Sequence, residues 1–557
     1  MIKKLTLSAS LVVLLGFTTS GQDMLSTIER AMMDEMERNM TQLRSDKYSD
    51  PFFIRYRIID QQNITVSASL GALHNSSEEP FRTKDIRVMV GDYEFNDESL
   101  DGDGMELDGK YPYGYADFTM PLGDDYYGIR RSLWITTDAI YKIAGQYYKD
   151  FLNDLEKDGK TYEDIDHKRF AKVPVVEYME PVLKQPFSRK KLEDFVREAS
   201  TLFVEYPDLL ISSVRANSNV STEYFLNSEG TRYRTSTLFA NIDFTVSMIN
   251  SEGEMSYETH NHELAPEDSL PSMEEVQKIV TGLVGKMLAK DSAERFVDSY
   301  YGPVLFEDET VSRLFSSYLI NQLYASTQLE SEGYYGGYNG GSHAMDDRIG
   351  QRVISKELSV TLLPTLTEWG GAALSGSYRI DSEGVMPADT LVLIENGILK
   401  NLMTSRTLTK ETQVANGTGS GPGVALISTS EGSTKEALRQ RLLELARKYD
   451  QEYAIIIREA NEYGGLYDLS VVKVHVETGE EEVLRGANIT DLGINNLKRI
   501  LGISSSLMVE NHGRTSYITP DALLLEDVGL SGRYNPQPKM KEALVKSPLV
   551  KSSIPEK

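Results

Sequence analysis

Between residues 214 and 248 apolar and polar side chains alternate, and the alternation is interrupted once, at Asn227-Ser228-Glu229-Gly230. Successive side chains on a strand point to opposite faces, so this run predicts a long antiparallel hairpin with one apolar face and one polar face. A hairpin of that length needs further strands beside it and helices over its apolar face. The flanking sequence offers both. Residues 52–59, 64–73 and 86–95 are rich in β-branched and aromatic residues and read as strands. Residues 24–43 carry Leu25, Ile28, Met32, Met36 and Met40 near helical spacing, and residues 129–155 and 191–203 also read as helices. Ser272-x-x-Glu275 is a capping box that opens a further helix, with Val276, Ile279, Val280, Leu283, Val284 and Met287 on one side.

Beyond a candidate boundary at residues 291–304, a helix is predicted from Val311, Leu314, Phe315, Tyr318, Leu319 and Leu323. The remainder is mostly strand-like: residues 356–362, 390–394 with the turn Glu395-Asn396-Gly397, 454–458 and 469–476. One more helix interrupts it, opened by the capping box Ser433-x-x-Glu436. The fold class expected is α+β in two lobes: an N-terminal helix-and-sheet lobe over residues 22–290, and a C-terminal lobe over residues 291–557 that is richer in antiparallel sheet. Two lobes also suit the length of 557 residues, at about 150 residues per domain. Residues 75–185, with the acidic stretch DESLDGDGMELDGK, read as an insertion in the first lobe. The tail from Asn535 carries prolines and lysines and is expected to fray.

Residues 1–21 read as a secretory signal peptide: Lys3 and Lys4, an apolar run from Leu5 to Phe17, then small residues. The run is shorter than the roughly 20 apolar residues that span a bilayer. The mature chain is expected to be exported, periplasmic or extracellular, and free of the membrane. With 84 acidic against 58 basic residues and a formal charge of −26, it offers a phosphate backbone repulsion, so no nucleic-acid partner is expected. The absence of cysteine excludes a disulfide framework, a thiolate nucleophile and cysteine-ligated metal.

The usual local signatures of catalysis are missing: no HExxH, no GxxxxGK[ST] and no GxSxG occurs. Asp101, Asp103 and Glu106 lack the spacing of a calcium loop, and the glycines of residues 417–423 lack the phase of a dinucleotide site. His260-Asn261-His262-Glu263 holds the one histidine pair; imidazoles two apart on a strand share a face and suit a metal, or simply sit in solvent. In GYYGGYNGGS, residues 333–342, the tyrosines Tyr334, Tyr335 and Tyr338 suit the wall or plug of a peptide groove, and equally a linker.

Three stretches together resemble the TldD/PmbA (TldE) family of peptidase proteins. They are FLNSEGTRYRTSTLFA at residues 225–240, GPVLFEDETVSRLF at residues 302–315, and a long third stretch. The third runs from IGQRV at residues 349–353 through RIDSEGVMPADTLVLIENGILKNLMTSR at residues 379–406 to NGTGSGPG at residues 416–423. The likeness extends from about Leu192 to the C-terminus. It implies a two-lobed α+β subunit that pairs around a chamber where unfolded peptides are cut. In the family's TldD-type subunit two histidines of an HExxxH helix and a cysteine hold zinc, and the glutamate takes a proton from its water.

Aligned on that helix, Phe306 and Val311 stand in place of the histidines and Glu307 in place of the glutamate. The resemblance therefore implies a PmbA/TldE-like subunit with no zinc or other cofactor of its own. Its partner would be a zinc-bearing TldD-like subunit, or a second copy of itself, acting on unfolded peptide. Glu307, Asp308 and Glu309 are expected in the first turn of that helix, where acids suit the dipole. Two other readings stay open. One is a peptidase in its own right, with no metal or with a metal at His260, His262 and Glu263. The other is a non-catalytic protein that binds peptide by strand addition.

Overall fold

The computed structural model of the chain describes residues 25–99, 120–249, 253–264, 270–325, 345–459, 465–467 and 469–532, with residues 547 and 549. The signal-peptide segment, Asp101, Asp103, Glu106, the tyrosines Tyr334, Tyr335 and Tyr338 and almost all of the tail lie outside the described residues.

The first lobe is built from α1 (Thr27–Gln42), β1 (Pro51–Ser69), β2 (Ala72–Val90), α2 (Tyr126–Lys157), α3 (Arg189–Thr201), β3 (Ile211–Asn227), β4 (Arg232–Ile249), β5 (Met255–Leu264) and α4 (Met273–Ser292). The stretch read as an insertion thus supplies most of β2 and the whole of α2. The strands lie in the order β2-β1-β3-β4-β5, all neighbours antiparallel, and Glu177–Met179 adds a short parallel strand beside β4. The hairpin expected from the alternation is β3–β4. Its turn is held by the Asn227 side-chain oxygen, which accepts the N–H groups of Glu229 and Thr231, while Gly230 takes a φ of +104°.

Alternation then decides what each face of the sheet does. Tyr56, Ile58, Val88 and Tyr224 pack under α1 and α2, and Val66, Val214, Ile242 and Phe244 under α3 and α4. Two of these helices start on reciprocal caps, Ser26 with Glu29 and Ser272 with Glu275, which satisfy donors that a helix start leaves open. The opposite face carries Arg55, Arg57, Asn63, Asn217, Glu223 and Asp243.

The second lobe runs through β6 (Ser299–Glu307), α5 (Glu309–Tyr318), α6 (Lys435–Lys448), β7 (Tyr453–Glu459), β8 (Leu469–His475), β9 (Glu481–Asp491), β10 (Leu507–His512), β11 (Thr515–Pro520) and β12 (Ala522–Gly532), with shorter strands between them. Pairing passes from β12 to β6, β7, β8 and β9 and returns to β12, so five strands close on themselves. A separate sheet holds Leu391–Glu395, Leu358–Leu362, Val424–Thr429, β11 and β10 in that order. Closure removes edges that would otherwise be unpaired. The main core lies around α5, with Val304, Phe306, Val311, Leu314, Phe315, Val360 and Leu525 in contact. The cap of α6 is Thr434, whose hydroxyl accepts the Ala437 N–H, and not Ser433 as the capping pattern suggested. Ser433 is engaged one step earlier: its N–H donates to Ile503 and its carbonyl accepts from Ser505, which keeps it out of the helix.

The two lobes meet where the long signature stretch touches the β3–β4 turn. Arg406 is fully buried, and its guanidinium forms two hydrogen bonds to Glu229, at 2.6 and 2.8 Å, and two to the Ala171 carbonyl. Phe53 and Phe170 flank it, with ring centroids 5.0 and 4.1 Å away. Beside it Glu383 accepts from Arg55 at 2.7 Å and from Arg87 at 2.9 Å, both on the first lobe. Asp381 orders that loop by accepting the N–H groups of Glu383, Val385 and Gly419, although burial pushes its carboxyl up to about 7. Gly384 follows with a φ of +79°, and a Cβ there would lie 2.9 Å from Thr231 and 3.0 Å from Phe225. The residues that carry the family resemblance are in this way the residues that join the lobes.

Removing one partner of such a pair leaves a buried charge uncompensated. Glu229→Ala is expected to cost about 3–5 kcal/mol in urea unfolding. Glu229→Gln, which keeps an acceptor, should cost less. Unchanged midpoints for both would show that the clasp does not hold the lobes together.

Candidate functional site

The corner from β6 into α5 is the place to test the inherited zinc site. Phe306 and Glu307 are the last two residues of the strand β6, and only Val311 of the three aligned positions is helical. The helix predicted to carry all three therefore starts later, after Asp308, which has a φ of +54°. The reason is pairing: Phe306 and Glu307 oppose Leu523 and Ala522 of β12, which holds them extended. Phe306 and Val311 are both fully buried among the apolar side chains of the main core and offer no donor atom to a metal.

Glu307 is also buried, but its carboxylate is taken. Oε1 accepts from Arg439 at 2.6 Å, and Oε2 from Arg439 at 2.8 Å and from Arg458 at 3.0 Å. Burial on its own would raise this carboxyl; the two guanidiniums outweigh it and hold it below the ordinary carboxylate range. A carboxylate held so is a poor proton acceptor. Of the three acids expected in the helix's first turn only Glu309 is there; Asp308 instead pairs with Lys435 at 2.5 Å. The donor set at this corner does not suit zinc, and no chemical step is assigned to one.

The histidine pair lies on β5. His260 and His262 oppose the core residues Phe244 and Ile242, share a face, and have ring centroids 6.5 Å apart. Burial, and then the neighbouring His262, hold His260 below the usual histidine range. Glu263 opposes Asn241 and points to the other, polar face, so the structure does not bring it to the two imidazoles. Among the described residues no group of three or more His, Asp or Glu is placed to hold a metal ion.

A polar cluster not singled out in the sequence lies between α5 and the hairpin β10–β11. Glu510 lies directly across from Tyr517, and Met508 across from Thr519, so Glu510, His512, Tyr517 and Thr519 share one face. The Tyr517 hydroxyl bonds Ser316 at 3.0 Å, which turns that face toward α5. Glu309, Arg313 and Ser316 are spaced four and three apart and lie on one side of the helix. Eight buried side-chain polar atoms among the described residues lack a hydrogen-bond partner, and half of them gather here: Arg313 Nε, His512 Nε2, Thr519 Oγ1 and Asp521 Oδ1. Burial, and then Arg313, push His512 down to about 4. Burial raises the Glu510 carboxyl, and Glu309, Glu263 and Asp308 raise it further against the pull of Arg313. Lys286 of α4 in the first lobe pairs with Glu459 of β7 in the second at 3.0 Å.

The two-lobed α+β fold and its β6–α5 corner define a known class. Residues 299–532 match the family model described as the PmbA/TldA metallopeptidase C-terminal domain. Over these residues the chain carries a domain of the TldD/PmbA family, which is of metallopeptidase type. Three solved structures share its fold. A candidate modulator of DNA gyrase from Thermotoga maritima is 14% identical, with a TM-score of 0.55 over 90% of this chain and 100% of its own. TldE from Thermococcus kodakarensis is 13% identical, with a TM-score of 0.52 over 90% of this chain and 100% of its own. A candidate modulator of DNA gyrase from Bacteroides thetaiotaomicron is 13% identical, with a TM-score of 0.53 over 91% of this chain and 98% of its own. No curated protein sequence matches the chain. Among the described residues no helix is long and apolar enough to cross a membrane.

The Glu307 cluster has a pH signature. A carboxyl held low in the folded chain contributes stability in full above its unfolded value, about 4.5, and that contribution is lost as pH falls through the folded value. Glu307→Gln is expected to cost about 2 kcal/mol at pH 7. The gap between variant and parent should close below pH 4. A gap that stays constant from pH 7 to pH 3 in urea unfolding would contradict the assignment.

Proposed function

We propose that this chain is an exported subunit of a TldD/PmbA-type peptide-degrading assembly, without zinc of its own, that shapes the chamber for a zinc-bearing TldD-like partner. The observation that carries the reading is the β6–α5 corner. Two apolar side chains occupy the aligned histidine positions, and both oxygens of the aligned glutamate are occupied by Arg439 and Arg458. A site built this way is a packed structural corner, and hydrolysis falls to the partner. The polar face of the first sheet, lined by Asn63, Asn217 and Asn241, suits a chamber wall that contacts peptide backbone without selecting side chains. The basic and apolar start of the sequence supports export.

Elemental analysis of the purified full chain should find far less than one zinc per chain. Unfolded peptide should be cut only after a TldD-like subunit with an intact HExxxH helix is added, and changing that partner's glutamate should abolish cutting. Stoichiometric zinc in this chain, or cutting of peptide by this chain without a partner, would overturn the proposal.

A further inference from the structure

The histidine pair on β5 has a chemistry that neither the Arg406 clasp nor the β6–α5 corner uses. β5 is pinned to β4 along its whole length, from Leu264 opposite Ala240 to Met255 opposite Ile249. Residues two apart on a strand lie about 7 Å from each other and point to one face, so this pairing fixes where both imidazoles start. Their ring centroids are 6.5 Å apart and the planes are inclined at 35°. A metal held by one nitrogen of each ring at about 2.0–2.1 Å would bring the centroids to roughly 5–6 Å. The rings need to close by about 1 Å, a side-chain rotation open to them because His260 is exposed and His262 half-buried. Among the described residues neither imidazole is spent on a hydrogen bond or an ion pair.

The surroundings admit a cation. Glu258, on the same face of β5, pairs with Lys290 of α4 at 3.0 Å. Lys286, one turn earlier on the same side of α4, pairs with Glu459 at 3.0 Å. Each of these lysines is therefore matched by a carboxylate. Phe244 backs the His260 ring, with centroids 6.3 Å apart. The donor set then selects the ion. Imidazole nitrogens suit borderline d-block metals, and Cu(II) heads their affinity order. Calcium and magnesium take oxygen ligands, and Glu263, the acid next in sequence, points to the other face. We propose that His260 and His262 form a two-nitrogen site for a divalent d-block ion, Cu(II) before Ni(II) or Zn(II), whose remaining positions are left to water or to a donor from outside the chain. Three protein ligands make a catalytic zinc site, whereas two hold a metal exchangeably. Such a site empties on dialysis against a chelator. It is distinct from the retained zinc that the proposed subunit role excludes, and separate measurements judge the two.

The test is calorimetric titration of the full chain with copper(II) sulfate, after metal and chelator have been dialysed away. The nitrogen splitting in the electron paramagnetic resonance spectrum of the copper complex is read alongside it. The parent should bind Cu(II) through two imidazole nitrogens, Ni(II) and Zn(II) more weakly, and calcium not at all. Removing a group that merely orients a metal ligand costs about 10–100-fold in affinity, so His260→Ala and His262→Ala should each weaken Cu(II) binding at least about tenfold. His260→Gln and His262→Gln, which keep a polar side chain, should do the same. His74→Ala, at an exposed position of β2, should change nothing. Absence of a Cu(II) site in the folded parent, a site that survives either single substitution, or calcium bound as tightly as Cu(II) would overturn the assignment. If an alanine variant does not fold, the glutamine variants and the parent spectrum decide.

Discussion

The Arg406 guanidinium has no contact with water, and the rest of the molecule is arranged to make that tolerable. Removing such a charge from water costs several kcal/mol unless every N–H finds an acceptor of good geometry. Here the acceptors come from far apart in the chain: Glu229 from the hairpin turn of the first lobe and Ala171 from the segment before α3. Phe53 and Phe170 close over the guanidinium's faces. None of these groups can shift without stranding a charge. The clasp therefore fixes the second lobe on the polar face of the first sheet.

The loop around Asp381 and Gly384 is seated on Phe225 and Thr231 of the first lobe. Glu263, which belongs to the first lobe, then shares a field with Glu510, Glu309 and Arg313, which belong to the second. The β6–α5 corner resolves its charges differently. There a carboxylate is matched by two guanidiniums and becomes part of the scaffold, whereas beside α5 burial and neighbouring carboxylates raise Glu510.

Much of this architecture is legible in the amino-acid sequence. The alternation over residues 214–248 requires the β3–β4 hairpin, and the Ser272/Glu275 box places the start of α4 within a residue. The family signature identifies the long stretch that ends at Arg406. Other features are not legible, and each has a physical reason. Phe306 and Glu307 read as helical because α5 follows at once, yet pairing with β12, more than 200 residues later in the chain, keeps them extended. Ser433 and Thr434 are equally good caps, and a bond between Ser433 and Ile503 makes the choice. Arg439 and Arg458 carry no signal as partners of Glu307, since one sits on an amphipathic helix and the other within a strand. For the polar cluster beside α5, the alternation of Glu510 and His512 along β10 is the one available hint.

By itself the sequence determined the local periods, the caps and turns, the α+β character, and the loss of donor atoms at positions 306 and 311. Those are properties of neighbouring residues and of side-chain chemistry, and they survive any rearrangement at longer range. Tertiary structure alone decided which charges are paired. Whether a carboxylate is locked, as in Glu307, or unpaired, as in Glu510, depends on guanidiniums delivered by strands and helices distant in the chain. Coulomb energy and desolvation follow distance in space, and distance along the chain does not report it.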